Sequence, residues 1–143
     1  MINIKLDDSH ISINDNSKSK KSILEKLSEI LSKSSGIDTD TIFTKLYDRE
    51  KLGSTSVGNG VAIPHARIEG IDYPFISIVT LENAVDFDNI DDFDVDIILC
   101  IIVPNDDSDN HLQLLASLSE MLDQVDIRQK LRQSRNSEQI LQC

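Results

Sequence analysis

The sequence predicts an α/β fold, a single domain in which a mixed β-sheet is flanked by helices. Its length of 143 residues suits one domain with one core. Segments with helical spacing of apolar residues alternate along the chain with short apolar segments, as is typical of helices that cover a sheet. The near-continuous apolar run at residues 95–103 is typical of a central strand, so we expect helices on both sides of it.

The first predicted helix begins at Ser19 or Ser22, either of which is a residue type that caps helix N-termini, and it ends before Gly36. Its apolar positions fall at helical spacing: Ile23, Leu24, Leu27, Ile30 and Leu31. This pattern predicts one buried face.

A second helix is predicted directly afterwards, with Asp38 or Thr39 as its cap and Gly53 placed to end it after Leu52. Four apolar residues line one side: Ile42, Phe43, Leu46 and Tyr47. Arg49 falls in the last turn, where the helix dipole favours a cation. The position of this arginine therefore has an ordinary structural explanation by itself.

Strands are predicted at residues 61–63, 75–81 and 95–103, and residues 15–19 are interpreted as a polar surface turn. A third helix is predicted from about Asn110 to Asp123, with four leucines on its inner stripe: Leu112, Leu115, Leu118 and Leu122. A polar helix follows from Asp126 toward Gln133, and residues 136–141 are predicted to form another short helical turn.

The composition is that of a soluble globular protein, with 39% hydrophobic and 27% charged residues, and the expected location is the cytoplasm. The longest apolar run is far short of the roughly 20 residues that a membrane helix requires, so direct membrane insertion is not expected. The N-terminal residues lack the apolar core of a secretory signal. Cys100 lies in a buried-looking strand and Cys143 is the last residue, an arrangement that does not favour a disulfide or a metal site.

The net charge of −11 is distributed unevenly. No Lys or Arg occurs in residues 68–127, which hold more than half of the 25 acidic residues. Four basic residues instead lie in or just before one segment, residues 48–67: Lys45, Arg49, Lys51 and Arg67. An acidic body repels phosphate backbones, so nucleic acid is not an expected partner. The basic residues suit either a phosphoryl group or acidic groups of a partner, or they are solvated side chains near a loop.

Residues 48–67 contain a glycine-punctuated loop followed by a short apolar segment and one histidine, His65. Glycines allow positive φ and close approach of backbone amides, and Ser54 and Thr55 offer hydroxyl donors beside them, so the loop is a candidate cradle for oxyanions. The simpler alternative is an ordinary turn. Pro64 is expected to end the preceding strand and to aim the imidazole out of the sheet.

His65 is the candidate nucleophile. Near neutral pH one ring nitrogen of an imidazole can attack phosphorus while a hydrogen bond holds the other, and the product is a high-energy phosphoramidate. A satisfied surface or core histidine is the alternative for any single histidine. His10, in a polar stretch, is assigned no role.

His111 follows the predicted central strand and lies near the start of a helix. Asn110 as cap, with Gln113 three positions later, predicts that His111 lies in the first helical turn, where unpaired amides attract phosphate. If this turn converges on His65, His111 is placed to donate to phosphoryl oxygens. A zinc site built from His65, His111 and Asp106 or Asp107 has no recognised ligand spacing, and the acidic run 86–96 lacks the glycine and final glutamate of a calcium loop.

Residues 52–65, Leu-Gly-Ser-Thr-Ser-Val-Gly-Asn-Gly-Val-Ala-Ile-Pro-His, resemble the active-site segment of enzyme IIA components of the bacterial phosphoenolpyruvate-dependent phosphotransferase system, fructose/mannitol family. The nitrogen-regulatory branch is the most similar. The resemblance extends over the whole chain, residues 1–143, as a single enzyme IIA type 2 domain, and includes Ile-Val-Pro at 102–104 and His111.

The resemblance implies a phosphorelay. A phosphorylated HPr-like carrier donates its phosphoryl group to His65, while Arg49, His111 and the Ser54/Thr55 region stabilise the transferring group, and no metal or organic cofactor is required. In the nitrogen branch the phosphorylation state decides which regulatory target proteins are bound. Two alternatives stay open: a sugar-specific IIA component that feeds a fructose- or mannitol-type permease, and a regulatory binding module that no longer transfers phosphate.

Overall fold

The computed structural model describes residues 10–88, 93–105 and 108–136. These residues form six strands and four helices, in the order β1 (Ile11–Asp15), α1 (Lys20–Ser35), α2 (Thr39–Lys51), β2 (Ser56–Gly58), β3 (Val61–Ala62), β4 (His65–Ile68), β5 (Phe75–Val85), β6 (Val95–Pro104), α3 (Ser108–Leu122) and α4 (Val125–Gln133). The predicted α/β class, with one mixed sheet flanked by helices, is confirmed. Among the described residues no helix is long and apolar enough to cross a membrane.

The strands form one sheet in the order β1-β5-β6-β3-β2, and β4 also pairs with β6. Strand β6 is antiparallel to β5 but parallel to β3 and β4, so the sheet is mixed. Pro64 separates β3 from β4 along the same edge of β6, and its carbonyl accepts a hydrogen bond from the Ile101 amide at 3.0 Å. His65 is thereby placed opposite Ile101 as the first residue of β4.

Strand β6 is buried on both faces, as the apolar run predicted. Alternate residues such as Ile98 and Ile102 belong to the core shared with α1 and α2, whereas Ile97 and Ile101 belong to the core shared with α3 and α4. This alternation follows from the two-residue repeat of a strand. The helices therefore form one layer on each side of the sheet.

The predicted ends of the first two helices are confirmed. Ser19 caps α1 through a reciprocal pair of hydrogen bonds with Ser22, and Gly36 closes the helix at a φ of 79°. Asp38 caps α2 by accepting a hydrogen bond from the Thr41 amide at 3.2 Å.

Three strands were not predicted from the sequence, and residues 15–19 are not wholly a turn because Asp15 belongs to β1. Within the part of the chain that the structure describes, strand β1 is at the edge of the sheet and pairs only with β5. It is short and mixes apolar with polar residues, so its sequence gives a weak signal. Strand β4 contains His65 and Arg67 and is a strand because β6 supplies its hydrogen-bond partners. Tertiary pairing, which overrides local propensity, created both strands.

The prediction for the third helix was wrong in two details. Helix α3 begins at Ser108, so Asn110 lies within it and is not its cap. Leu112 is 65% exposed, and Leu114 instead is buried. The leucine-rich sequence offers overlapping apolar stripes, and packing against the sheet selected the one containing Leu114 and Leu122. The predicted turn at 136–141 and Cys143 lie outside the described residues, apart from Asn136.

Candidate functional site

An open cleft of about 470 Å³ lies where the end of α2, the start of β4 and the start of α3 meet. Its wall includes both histidines singled out in the sequence and three basic side chains: Lys45, Arg49 and Arg67. Lys51, the fourth predicted basic residue, instead pairs with Asp48 at 3.2 Å and lies 5.1 Å from the ring centroid of Tyr47. Three of the four basic residues predicted around His65 therefore line this cleft.

The His65 imidazole is held at both nitrogens. Nδ1 lies 2.9 Å from the carbonyl oxygen of Ile63, and the Nε–H of Arg49 donates to Nε2 at 3.3 Å. A carbonyl oxygen only accepts and a guanidinium only donates, so these two contacts require the tautomer with hydrogen on Nδ1 and a lone pair on Nε2. Nε2 is consequently the nucleophilic nitrogen of the neutral ring.

The surroundings of His65 favour this neutral form. Burial lowers the pKa of the imidazole, and the nearby positive charge of Arg49 lowers it further, although the hydrogen bond to Ile63 and the charge of Glu50 act in the opposite direction. The net effect is a pKa below the ordinary histidine value, so more of the ring carries an available Nε2 lone pair near neutral pH.

His111 lies edge-on to His65, with ring centroids 5.3 Å apart and ring planes at 87°. The predicted convergence of the start of α3 on His65 is thus present in the structure. Burial lowers the pKa of His111, and electrostatic interactions with His65, Arg67 and Arg49 lower it further. Its Nδ1 is buried without a hydrogen-bond partner among the described residues.

Arg49 connects His65 to the loop after α2. Its Nε–H donates to His65, while its Nη1 donates to the carbonyl oxygen of Gly53 at 2.9 Å. The side chain projects from the last turn of α2, as the sequence predicted. The orientation of the guanidinium is therefore set by the loop and by the imidazole together.

The Ser54 and Thr55 hydroxyls are not among the groups lining the cleft. Ser54 Oγ donates to the carbonyl oxygen of Phe87 at 2.6 Å, and Thr55 Oγ1 donates to the carboxylate of Glu50. In this structure both hydroxyls fix the loop to neighbouring segments. A direct phosphate contact by either residue stays a prediction.

The glycines of this segment do not form one cradle around His65. Asn59 and Gly60, with φ of 59° and 81°, form the two-residue turn between β2 and β3, which requires positive φ at both positions. Gly60 lies against Arg132 and Asp96, in a different cavity. The sequence showed the conformational need but not which end of the sheet the turn occupies.

The metal alternatives find no support within the described ranges, where no group of three or more His, Cys, Asp or Glu side chains is placed to hold a metal ion. Asp106 and Asp107 of the zinc alternative, and residues 89–92 of the acidic run, lie outside those ranges.

Three groups were missed in the sequence: the Ile63 carbonyl, the Glu50 carboxylate and the Lys20 ammonium. A backbone carbonyl carries no signal in a sequence. Lys20 lies 2.7 Å from the Glu50 carboxylate but 45 positions before His65 in the chain. Glu50 did carry one signal, since it is a charged residue at helical spacing from Leu46 and Tyr47 on the predicted apolar side of the second helix.

Comparison with known proteins places the chain in a family. Residues 5–143 match the family described as phosphoenolpyruvate-dependent sugar phosphotransferase system, EIIA 2. The chain belongs to this family, and the resemblance predicted from the sequence is confirmed.

Within the family, the chain is similar to proteins of the nitrogen-regulatory branch. It is 40% identical to a nitrogen regulatory protein of Pseudomonas aeruginosa over 125 residues, which cover 87% of this chain and 81% of that one. The crystal structure of nitrogen regulatory protein IIA-Ntr from Neisseria meningitidis matches with a TM-score of 0.88 and 33% identity, covering 92% and 90% of the two chains. A fructose-specific EIIA component of Haloferax volcanii is 32% identical over 103 residues, covering 72% and 67%.

Proposed function

We propose that this protein is a phosphocarrier of the nitrogen-regulatory type, which accepts a phosphoryl group on His65 from a phosphorylated HPr-like protein. The unphosphorylated and phosphorylated forms then bind different regulatory target proteins, in nitrogen- or potassium-related regulation. The proposed location is the cytoplasm. Residues 1–143 act in this proposal as one enzyme IIA type 2 domain.

The observation that carries the proposal is the state of the His65 ring. Its Nδ1 is tied to Ile63 at 2.9 Å, and its Nε2 has a lone pair beside Arg49 in an open, positively charged cleft. Burial and the neighbouring cation both oppose protonation, so the ring is held in the neutral form that can attack phosphorus.

The proposed reaction is an in-line transfer between two imidazoles. The lone pair of His65 Nε2 forms a bond to phosphorus while the nitrogen–phosphorus bond of the donor phosphohistidine breaks, and the electron pair of that bond stays on the donor ring. Nδ1 of His65 keeps its hydrogen and its bond to Ile63 throughout. Such a transfer depends mainly on positioning and on stabilising negative charge.

Arg49 and His111 provide that stabilisation in the proposal. The Nε–H of Arg49 occupies the Nε2 lone pair in the resting protein, so this hydrogen bond must break before attack, and the guanidinium is then free to donate to the phosphoryl oxygens. His111 is close enough, at 5.3 Å between ring centroids, to donate its N–H to the same group. Ser54 and Thr55 are proposed to assist in phosphate binding through the loop next to Arg49 in which they lie.

The test is phosphoryl acceptance followed by intact mass. Purified protein is incubated with phosphoenolpyruvate, enzyme I and an HPr-like carrier of the nitrogen branch. We expect one acid-labile phosphoryl group on the wild type, none on His65→Ala, and acceptance slowed by roughly 10²–10³-fold in Arg49→Ala and His111→Ala, the range found when one donor to developing charge is removed.

Normal labelling of His65→Ala would contradict the assignment. A second function, the sugar-specific IIA component that passes phosphate to a IIB component, is favoured by the family description and by the fructose-specific relative. Sugar-branch carriers run in parallel distinguish it, because the faster donor indicates the branch. Absence of label from either donor would leave a binding module without phosphoryl transfer.

A further inference from the structure

We propose that Glu50 is a positioning residue for phosphoryl transfer, whose buried carboxylate fixes the loop that holds Arg49 against His65. This inference rests on the function proposed above and names a residue that acts on its site from outside the cleft. Glu50 does not touch the reacting atoms. Its charge raises the pKa of His65, so loss of that charge would favour the neutral nucleophile. Slower transfer in a Glu50 variant must therefore come through the loop and Arg49.

The first step of the argument is the burial and pairing of the carboxylate. Glu50 is 6% exposed in the last turn of α2, and its Oε2 lies 2.7 Å from Lys20 Nζ at the start of α1. The same carboxylate accepts hydrogen bonds from the amide of Thr55, at 3.3 Å, and from its hydroxyl. Glu50 thus joins two helices to the loop that follows α2.

The second step links that loop to the nucleophile. Thr55 lies two residues after Gly53, whose carbonyl oxygen accepts from Arg49 Nη1 at 2.9 Å, while Nε of the same guanidinium donates to His65. A shift of the loop moves the Gly53 carbonyl and hence the guanidinium. Ser54 adds a second anchor through its bond to the Phe87 carbonyl.

The third step concerns why a charged residue occupies a core position. An apolar side chain would fill the space but leave the amide and hydroxyl of Thr55 buried without their acceptor. Lys20 satisfies the carboxylate and also lies 3.2 Å from Asp88 and 4.8 Å from the ring centroid of Phe87. Glu50 therefore links the loop at Thr55 to α1 and, through Lys20, to the segment at residues 87–88.

The experiment uses two variants. Glu50→Gln keeps the shape and an acceptor oxygen but removes the charge, and Lys20→Met removes the cation that pairs with Glu50. Glu25→Gln is the matched control, because it makes the same change on an exposed face of α1. Two quantities are measured for each: the initial rate of phosphoryl acceptance from the HPr-like carrier, and the ¹⁵N chemical shift of His65 Nε2 in the unphosphorylated protein. Circular dichroism establishes that each variant is folded.

Glu50→Gln is expected to slow acceptance by roughly ten- to a hundredfold and to move the Nε2 shift toward its value in Arg49→Ala. Lys20→Met should act in the same direction with a smaller effect, and it decides the matter if Glu50→Gln does not fold. In an Arg49→Ala background, Glu50→Gln should cause no further slowing, because the residue acts through the arginine.

A folded Glu50→Gln with a wild-type rate and an unchanged Nε2 shift overturns the inference, as does slowing that is equally large with and without Arg49. A wild type that accepts no phosphoryl group overturns the proposed function instead, and the Nε2 shift of Glu50→Gln still decides whether this residue positions Arg49.

Discussion

At the residue scale, the site is defined by what surrounds one imidazole. Ile63 holds the hydrogen of Nδ1 and Arg49 faces Nε2, so the tautomer follows from the chemistry of donors and acceptors. Burial, the largest of the effects that lower the pKa of His65, keeps the ring neutral without a base to deprotonate it. The surroundings of the ring thus favour an unprotonated Nε2, as the proposed transfer requires.

The pKa of His65 should rise in Arg49→Ala, since the guanidinium is one cause of its lowering. Acceptance requires the neutral ring, so the rate should fall as pH drops through the pKa of His65, and in Arg49→Ala this fall should occur at higher pH. An NMR titration of the ring, together with acceptance rates at each pH, measures both effects.

Lys33→Ala is the control for that titration, because it removes an exposed cation at the far end of α1 and should leave the curve in place. A pKa that is unchanged or lower in Arg49→Ala would show that the arginine does not act on His65 electrostatically.

Signals in the sequence point to the candidate site residues more clearly than to the residues that hold them in place. His65, His111 and Arg49 were selected from a motif, and they do meet in one cleft. The role of Glu50, the neighbour of Arg49, is not visible in the sequence. It depends on hydrogen bonds and an ion pair that form only when Thr55 and Lys20 have packed around its carboxylate.

At the scale of elements, strand pairing brings the site together. Strand β4 runs along the same edge of β6 as β3, and α3 follows β6 directly, so His65 and His111 arrive at one end of the sheet from different parts of the chain. The helices α1 and α2 were predictable because their caps and apolar spacing are local signals. Strand β4 was not, since its hydrogen-bond partners lie more than 30 residues away.

The turn between β2 and β3 gives a prediction about stability. Both Gly60 and Gly36 have positive φ, but a Cβ at Gly60 would lie 2.5 Å from Arg132 Nη2, whereas one at Gly36 meets nothing within 4 Å. Gly36→Ala should therefore cost about 1 kcal/mol in free energy of unfolding from backbone strain alone. Gly60→Ala should cost about 2–3 kcal/mol, because it also displaces the arginine.

Urea unfolding of the two variants measures this difference. The contacts that would be displaced are specific. Arg132 Nε donates to Asp96 Oδ2 at 3.0 Å, and Nη2 donates to Asp96 Oδ1 at 2.9 Å and to the carbonyl oxygen of Asn59 at 2.6 Å. Equal costs at the two glycines would show that the arginine moves aside freely.

At the scale of the whole molecule, charge is segregated. The chain has a net charge of −11, yet Lys45, Arg49 and Arg67 line the cleft around His65. A concavity lined by three cations in an acidic protein attracts a negatively charged group. Addition of a phosphoryl group, with its nearly two negative charges, would cancel most of this local positive charge, and this is the physical basis for the proposed change of partners.

Lys45→Gln should slow phosphoryl acceptance at low salt, because it removes an exposed cation that attracts the incoming phosphoryl group. The difference from wild type should nearly vanish when ionic strength rises from about 0.1 M to about 1 M, since the Debye length shortens from about 10 Å to about 3 Å. Acceptance rates across this salt range are the measurement. Lys33→Gln, with the same change of charge far from the cleft along α1, should match the wild type, and equal slowing in both variants would contradict a local role.

The sequence by itself determined the class of fold, the ends of α1 and α2, the burial of β6 and the three side chains Arg49, His65 and His111. Each of these depends on signals within a few residues: caps, apolar periodicity, and a motif that resembles a family. The tertiary structure alone decided that β1, β2 and β4 are strands, that Leu112 faces outward, and that Glu50 holds the loop behind Arg49. Hydrogen-bond partners and buried faces of this kind exist only once distant segments of the chain have packed together.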